Sequence, residues 1–420
     1  SKSAVENIVG VANGNVEVSV AGSVANNVQA VPLGAGNTSN KTTVTLDSKG
    51  GLLERVDIAS GSAVAGDSTI AIAATGKIGG NVDALATGAA SISHAGTVGG
   101  SLNATGGSSF SYDNGTTTTE DGAGGLLKTV TANSSSNSDG SSVIEIAEGA
   151  TVSGSATATA TNDAAVTNAG EVEGAVTTRA GNGSASTFDQ TVVYDGKGVL
   201  LSNTTKQTNG PTGGDASVVL VETGSTGASV LASATNNATV ENAGSVGGNL
   251  TANAGNGNTN VTEQGLVFDS TGALILSDVY EATDTRSKGS ATVVVAATGE
   301  VDGTVFANAT QDVAITNAGT IGGGVNGNSS GNDSTYSRTI LTPAPVVDAT
   351  AGTTTTKYSY ADESTNSSAT GKVDFTNSAG GIVGFNGVGN VNLNAGGDVT
   401  ILNQGEVRGT TFAQSSGGKS

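Results

Sequence analysis

Four aspartates, each at the start of a D-x-x-G motif, have the most regular spacing of any acidic residues in the chain. They are Asp47, Asp121, Asp195 and Asp269, and consecutive members lie 74 residues apart. Paired carboxylates in a groove can hydrolyse a glycosidic bond, usually beside aromatic platforms for the sugar rings. The same motif also makes a tight hairpin turn, in which Asp accepts hydrogen bonds from the turn backbone and Gly supplies a positive φ. Because the spacing is periodic, we assign the aspartates to hairpin turns.

His94 is the only histidine, and a Ser–His–Asp site would need it as the base. Its equivalents in other copies of a recurring phrase are Asn168, Asn242, Asn317 and Asn403. This equivalence predicts a structural position at a bend. A catalytic site is expected to break a repeat once, and the main irregularity is the Pro-containing segment Thr342–Asp348. We predict no catalytic residue and no enzyme activity.

Patterns for metal binding are weak. The segment Asn137–Glu145 resembles an EF-hand loop, but it lacks Asp at the first position and its Glu is one residue out of place. The chain has no cysteine, which excludes disulfides and thiolate metal sites. We predict no cofactor and no dedicated metal site, while weak Ca²⁺ binding at an Asp/Asn-rich turn stays open.

The composition argues against several classes of function. The 420 residues include 65 Gly, no Cys, Met or Trp, and only 3% aromatic residues, which suits a thin core of small and β-branched side chains. The net charge of −20 has no basic cluster within it, which argues against binding nucleic acid or anionic lipid. No apolar run approaches the roughly 20 residues of a membrane-spanning helix. We predict an exported protein that neither binds nucleic acid nor inserts into a membrane.

A recurring phrase with a central glycine organises the chain. Its copies include SISHAGTVGG, AVTNAGEVEG, TVENAGSVGG and TILNQGEVRG. The central glycines, here called anchors, are Gly22, Gly96, Gly170, Gly244, Gly319 and Gly405. Consecutive anchors are 74, 74, 74, 75 and 86 residues apart, which indicates a repeat protein. A disordered tract, the alternative for so Gly-, Ser- and Asn-rich a chain, has no reason to keep this register.

Apolar residues keep a constant position around each anchor. Val, Ile or Leu recurs four residues before the anchor and two and six residues after it, with Thr411 as the exception. Positions two, four and six after the anchor share one face of a β-strand, because side chains alternate with a period of two. The anchor interrupts this alternation, as a tight bend with a positive φ would. The local prediction is strand, bend, strand.

A second phrase precedes the first in four of the units. Its central residues are Gly76, Ala150, Gly224 and Gly299, each 20 residues before an anchor. Twenty residues is a natural length for one coil of a β-solenoid, whose successive coils stack about 4.8 Å apart. The two phrases are therefore predicted to form neighbouring coils.

The rest of each unit contains the D-x-x-G turn between two β-branched segments, which predicts a hairpin projecting from the coils. The last unit differs, because the stretch from Ser334 to Asp362 is longer, contains Pro343 and Pro345, and replaces the turn with Asp348–Gly352. It is either a specialised hairpin or a terminal cap. The predicted fold class is all-β, a β-solenoid (parallel β-helix) of about 74-residue units, each with about two coils of about 20 residues and a β-hairpin excursion.

The phrases TNAGTIGG, TNAGEVEG and ENAGSVGG resemble the degenerate repeats of secreted bacterial right-handed β-helices. Such repeats occur in autotransporter passenger domains and filamentous-haemagglutinin-like adhesins. The resemblance covers most of Val16 to Gln414 and implies a surface-exposed or secreted protein that serves adhesion, self-association or fibre formation. The acidic, Cys-free composition also resembles that of surface-layer and filament subunits.

We predict a single β-solenoid over residues 1–420. Its repeat units are approximately 22–95, 96–169, 170–243, 244–318 and 319–404, with partial coils at 1–21 and 405–420. The sequence begins without the pattern of a signal peptide and is expected to be a processed or excised piece of something larger. Its first and last apolar strands, NVEVSVAGSV and DVTILNQGEV, lack Pro and an evident cap. Either the chain is a slice of a longer solenoid or one copy stacks on the next.

The expected function follows from this architecture. We expect a non-enzymatic, extracellular or cell-surface protein, a fibre subunit or adhesin shaft that associates head to tail with other copies. A host or cell-surface glycan is a further candidate partner. The alternatives are a surface-layer lattice protein and, second, a polysaccharide-cleaving β-helix enzyme.

Overall fold

The computed structural model describes residues 5–32, 36–62, 66–107, 110–137, 139–348 and 353–417. It describes the side chains of these ranges except those at 277–282, 332–333, 342–348, 353–360 and 366–369. Every secondary-structure element assigned within these ranges is a β-strand. Most of them form three long parallel sheets of stacked coils, and the other ten form one antiparallel sheet. The predicted all-β solenoid is confirmed.

Each coil contributes a first strand to sheet 1, a two-residue strand to sheet 2 and a third strand to sheet 3. In coils 1–6 these strands are Val16–Val20, Ser23–Val24 and Val28–Pro32; Ser68–Ile72, Lys77–Ile78 and Val82–Leu85; Ala90–His94, Thr97–Val98 and Leu102–Gly106; Ser142–Ile146, Thr151–Val152 and Ala156–Ala160; Ala164–Asn168, Glu171–Val172 and Val176–Arg179; Ala216–Leu220, Ser225–Thr226 and Val230–Ser233. In coils 7–11 they are Ala238–Asn242, Ser245–Val246 and Leu250–Asn253; Ala291–Val295, Glu300–Val301 and Val305–Ala309; Val313–Asn317, Thr320–Ile321 and Val325–Ser329; Val373–Asn377, Ile382–Val383 and Val391–Ala395; Val399–Asn403, Glu406–Val407 and Thr411–Ser415. One further strand of sheet 3, Ile8–Ala12, precedes coil 1 and pairs with its third strand.

A β-hairpin leaves the solenoid after coils 1, 3, 5, 7 and 9. Hairpins 1–5 are Asn37–Leu46 with Leu52–Ser62, Phe110–Glu120 with Leu126–Asn137, Ser184–Tyr194 with Leu200–Pro211, Asn258–Phe268 with Leu274–Arg286, and Asn332–Asp348 with Thr353–Ala369. Neighbouring hairpins also pair with each other, so all five form one ten-stranded antiparallel sheet, the hairpin sheet. The Pro-containing segment is the first strand of hairpin 5, and residues 349–352 of its predicted turn lie outside the described residues.

The core is a continuous stack of small and β-branched side chains between the three parallel sheets. Around the anchor Gly170, the predicted core residues Val166, Val172 and Val176 are at most 1% exposed. Residues alternate between core and surface along each longer strand, as in Ala156–Ala160. The predicted core face is confirmed. Each coil buries this face only against its neighbours, which is why every coil repeats it.

The anchor glycines lie between the first and second strands of their coils, but the predicted positive φ is wrong, because none of them has a left-handed backbone. Glycine is required there by the close approach of the preceding coil. A Cβ on Gly244 would lie 2.0 Å from the carbonyl oxygen of Gly224, and one on Gly96 would lie 2.2 Å from that of Gly76. The same clash recurs at Gly170, Gly319 and Gly405. At Gly22, in coil 1, nothing lies within 4 Å.

Coil 10 is longer than the others. Seven residues separate its second and third strands, whereas three residues do so in every other coil. The extra residues lie in the segment Gly384–Gly389. In coil 10 the residue equivalent to the second-phrase glycines is Gly381. Its N–H donates to the carbonyl of Ser378, just as the N–H of Gly76 donates to the carbonyl of Ala73 in coil 2. This insertion, together with the longer hairpin 5, explains why the last anchor spacing exceeds 75 residues.

Candidate functional site

The four predicted aspartates lie at the hairpin turns. In hairpin 2, Oδ1 of Asp121 accepts hydrogen bonds from the N–H groups of Ala123 at 2.8 Å and Gly125 at 2.9 Å. Gly124 has a φ of 93°, the left-handed conformation that this turn requires. The same pattern of carboxylate acceptors recurs at Asp47, Asp195 and Asp269. Each of the four carboxylates thus accepts hydrogen bonds from backbone N–H groups of its own turn.

The turn contacts keep two of these carboxylates ionised. Hydrogen bonds from the backbone of Ala123 and Gly125 hold the pKa of Asp121 below its ordinary value. The pKa of Asp269 is lowered first by the hydroxyl of Thr271 and then by turn amides. A general acid for glycoside hydrolysis needs a raised pKa and a free proton. These turns therefore favour structural over acid–base chemistry.

His94 lies in an inward-facing column at the ends of the first strands. Its strand neighbours in the column are Ile72 in coil 2 and Ile146 in coil 4. Other coils place asparagine in this column, at Asn168, Asn242, Asn317, Asn377 and Asn403. We call it the asparagine column. Nδ2 of Asn168 donates to the carbonyl of Ser225 in the next coil at 2.9 Å, and its Oδ1 accepts the N–H of the anchor Gly170 at 3.0 Å.

The imidazole of His94 replaces one of these amides. Its Nε2 lies 3.1 Å from the carbonyl oxygen of Thr151, the position equivalent to Ser225. The side chain is 2% exposed, and burial lowers its pKa. A neutral ring with its proton on Nε2 donates to Thr151, while Nδ1 makes no hydrogen bond with the described residues. These contacts favour a structural role for His94 at the bend.

Four buried threonines at the hairpin roots were missed by the sequence analysis. They are Thr87, Thr161, Thr235 and Thr310. Oγ1 of Thr235 accepts the N–H of Gly214 at 3.0 Å and donates to the carbonyl of Thr212 at 2.9 Å, which ties the return from hairpin 3 to coil 6. Their spacings of 74, 74 and 75 residues repeat the anchor lattice and are the signal that would have identified them.

The weak calcium segment does not form a single loop. Asn137 ends the second strand of hairpin 2, whereas Glu145 lies within the first strand of coil 4. Among the described residues, no three His, Asp or Glu side chains are arranged to hold a metal ion. Segment Thr342–Asp348 lies in hairpin 5, and its side chains fall outside those that the structure describes.

Coil 11 presents strand edges at the end of the stack. It contributes the last strand to each of sheets 1, 2 and 3. Its inward-facing Ile401 is 37% exposed, whereas the equivalent Ile315 in coil 9 is 1% exposed. At the opposite end, Ile8–Ala12 is the outermost strand of sheet 3, and its Val9 and Val11 are more than half exposed. Val9 and Val11 lie on the outer face of the sheet, because their neighbours Ile8 and Ala12 align with the buried Val28 and Pro32. Exposure of an inward apolar side chain at a strand edge is therefore seen at coil 11.

Comparisons of the chain with family models, with curated proteins and with solved structures find no match. The β-solenoid assignment therefore rests on the sheet topology of this chain. In the part of the chain that the structure describes, no helix is long and apolar enough to cross a membrane.

Proposed function

We propose that the chain is a non-enzymatic, extracellular structural protein, a β-solenoid fibre subunit or adhesin shaft that associates end to end. The observation that carries this proposal is the edge of coil 11, where the three parallel sheets end together and Ile401 is exposed. An exposed strand edge with apolar inward side chains is a template for a further strand.

Strand polarity supports stacking between copies. Ile8–Ala12 and Thr411–Ser415 are the two outer strands of sheet 3. All neighbouring strands of that sheet, from one outer strand to the other, pair in parallel. The last strand of one copy can therefore pair with the first strand of the next without reversal of either chain. Such a contact uses different surfaces on the two partners and does not close, so successive copies extend into a filament.

Composition and resemblance support the extracellular assignment. The chain has no cysteine and a net charge of −20, as suits an exported, soluble protein. The TNAG phrases resemble repeats of secreted bacterial β-helices, and the described part of the chain holds no cluster of metal-binding side chains. The composition and the resemblance support a role in surface attachment or matrix formation.

Electron microscopy of the purified chain, with and without Ca²⁺, tests the proposal. We expect filaments for the wild-type chain and their loss for Ile401→Lys, because a charged side chain on an open edge opposes pairing. The matched control is Thr400→Lys, since Thr400 is the adjacent residue of the same strand and points outward. This control should assemble normally.

Three results would contradict end-to-end association. The wild-type chain would remain as short separate rods at every concentration, or Ile401→Lys would assemble as readily as Thr400→Lys. Two-dimensional sheets formed only with Ca²⁺ would instead indicate a surface-layer lattice. Cleavage of a polysaccharide by the purified chain would contradict the non-enzymatic assignment.

A further inference from the structure

The outer face of sheet 3 differs between the two halves of the solenoid. Each third strand presents two outward residues, and parallel pairing aligns them into two columns along the coils. In coils 1–6 the columns contain two charged residues, Asp83 and Arg179, and three apolar ones, Val31, Leu85 and Leu231, and they contain no aromatic residue. This half is an ordinary mixed surface.

In coils 7–11 the same columns contain amides, threonine and aromatic rings, and no charged residue. The first column is Thr251, Phe306, Asn326, Asn392 and Phe412, and the second is Asn253, Asn308, Asn328, Asn394 and Gln414. We call these ten residues the amide face. Charged residues are only 12% of the chain, so ten uncharged positions are not unusual, and the amides and aromatic rings distinguish this face.

Hydrogen bonds between coils orient four of the seven amides. Nδ2 of Asn308 donates to Oδ1 of Asn253 at 2.9 Å, and Nδ2 of Asn392 donates to Oδ1 of Asn326 at 3.1 Å. Each amide has two N–H donors and an oxygen with two lone pairs, so these bonds use only part of its capacity. The remaining donors and acceptors of these four amides are therefore pre-oriented at the surface.

Two phenylalanines lie along the first column of the amide face. Phe306 is half-buried in coil 8, and Phe412 is 53% exposed in coil 11. Three coil steps separate them, which corresponds to about 14 Å along the solenoid axis. Asn326 and Asn392 lie between them. Rings separated by amides in one line can contact alternate apolar and hydroxyl surfaces of an elongated ligand.

The insertion of coil 10 borders this face. Segment Gly384–Gly389 leads directly into the strand that carries Asn392 and Asn394. It exposes Phe385 by 54% and Val388 by 79%. Side-chain Nδ2 of Asn386 donates to the backbone of Asp302 at 3.2 Å, which anchors the insertion to coil 8. The coil lattice is thus broken beside the amide face, with added apolar surface.

We propose that the amide face of coils 7–11 binds a linear, neutral polysaccharide lying along the solenoid axis. The hydroxyl groups of sugar rings both donate and accept hydrogen bonds, as the free parts of the amides do. The apolar face of a pyranose ring stacks on an aromatic side chain, for which Phe412 and Phe306 are placed. The absence of charge from the ten positions favours an uncharged glycan over an acidic one.

Side-chain hydrogen bonds between coils would be enough to explain the paired asparagines, which would then have only a structural role. They do not explain why exposed Phe412 lies in the same column, or why the insertion with Phe385 and Val388 occurs in this coil. Ligand binding accounts for all three features together. It does not depend on end-to-end association, because the amide face lies on the side of the stack.

Binding is tested with the full chain against chitin, cellulose, dextran and a β-1,3-glucan, with alginate as an acidic control. Pull-down is used for the insoluble polymers and affinity electrophoresis for the soluble ones. We expect binding to at least one neutral polymer, and little change on adding salt, because charge pairs are not involved.

The decisive variants are Phe412→Ala and Asn328→Asp, both at exposed positions of the amide face. We expect Phe412→Ala to weaken binding about tenfold and Phe412→Tyr to restore it, since a ring is again present. Asn328→Asp should also weaken binding by removing two donors. Phe110→Ala is the matched control, because Phe110 is 51% exposed but lies in hairpin 2.

Circular dichroism and the melting temperature establish that each variant is folded. Binding to none of the four neutral polymers would overturn the proposal, as would binding to alginate alone. Equal losses from Phe110→Ala and Phe412→Ala would also overturn it. Repeating the assay on Ile401→Lys, which is expected not to assemble, separates glycan binding from filament formation.

Discussion

Alanine at the anchor of coil 7 tests the reason for the recurring glycine. In Gly244→Ala the new Cβ would lie 2.0 Å from the carbonyl oxygen of Gly224, whereas a carbon–oxygen contact is normally at least about 3.3 Å. The coils must separate locally by about 1.3 Å to relieve this clash. The N–H of Ser245 donates to that same oxygen at 3.0 Å, and the N–H of Ala243 donates to Leu220 at 2.8 Å. Loss of both bonds in a buried bend destabilises the fold by about 2–5 kcal/mol.

The matched variant is Gly22→Ala, at the equivalent position of coil 1. Nothing lies within 4 Å of its added Cβ, and its backbone is not left-handed. Alanine there reduces the freedom of the unfolded chain without a clash, so the free energy of unfolding should change by less than about 1 kcal/mol, toward greater stability. The same substitution in the same phrase is therefore expected to have opposite effects in two coils.

Urea unfolding followed by circular dichroism measures the two effects. Because long repeat arrays lose cooperativity, amide hydrogen exchange in coils 6 and 7 should accompany it. Gly244→Ala should accelerate exchange at these coils, whereas Gly22→Ala should leave them protected. Equal destabilisation by both variants, or none by Gly244→Ala, would refute the argument that the preceding coil requires glycine.

Three further substitutions test the core, a hairpin root and the asparagine column. Val172→Asp places a carboxylate in the core and should destabilise by about 3–5 kcal/mol in thermal unfolding, whereas Val143→Asp, on the outer face of sheet 1, should be nearly neutral. Thr235→Val removes two hydrogen bonds at the root of hairpin 3 and should lower the free energy of unfolding by about 1–3 kcal/mol. Proteolytic cleavage at that root should then occur earlier. Unchanged protease resistance would contradict this role of Thr235. Burial lowers the pKa of His94, so the stability it contributes is present above about pH 6.5 and declines as pH falls below that value. Melting temperatures measured across this range should show a smaller decline for His94→Asn, and an identical pH profile would contradict the buried neutral ring.

The strands, the core positions and the turn motif could be predicted because each depends on residues close together in the chain. Val166, Val172 and Val176 follow the alternation of a strand around one bend, and they are buried as predicted. The D-x-x-G motif of Asp121 closes its hydrogen bonds within four residues. Short-range geometry of this kind needs no knowledge of what packs above or below.

Contacts between coils could not be predicted in the same way. Gly244 considered alone indicates a bend. A Cβ added there would clash with the carbonyl oxygen of Gly224, which belongs to the preceding coil. The asparagine equivalence of His94 was visible as a repeat, whereas its acceptor Thr151 lies 57 residues further along the chain. The separation between His94 and Thr151 spans hairpin 2, so this contact depends on how the hairpin is accommodated.

The sequence by itself determined that this protein is a stack of coils, because a period of two within strands and a fixed spacing between bends leave few other folds. Only the tertiary structure decided that the five hairpins pair into one sheet and that residues 66 positions apart, such as Asn326 and Asn392, share a column of the amide face. Lateral pairing depends on the relative height at which each hairpin leaves the stack. That height is a property of the assembled coils and is absent from any single repeat.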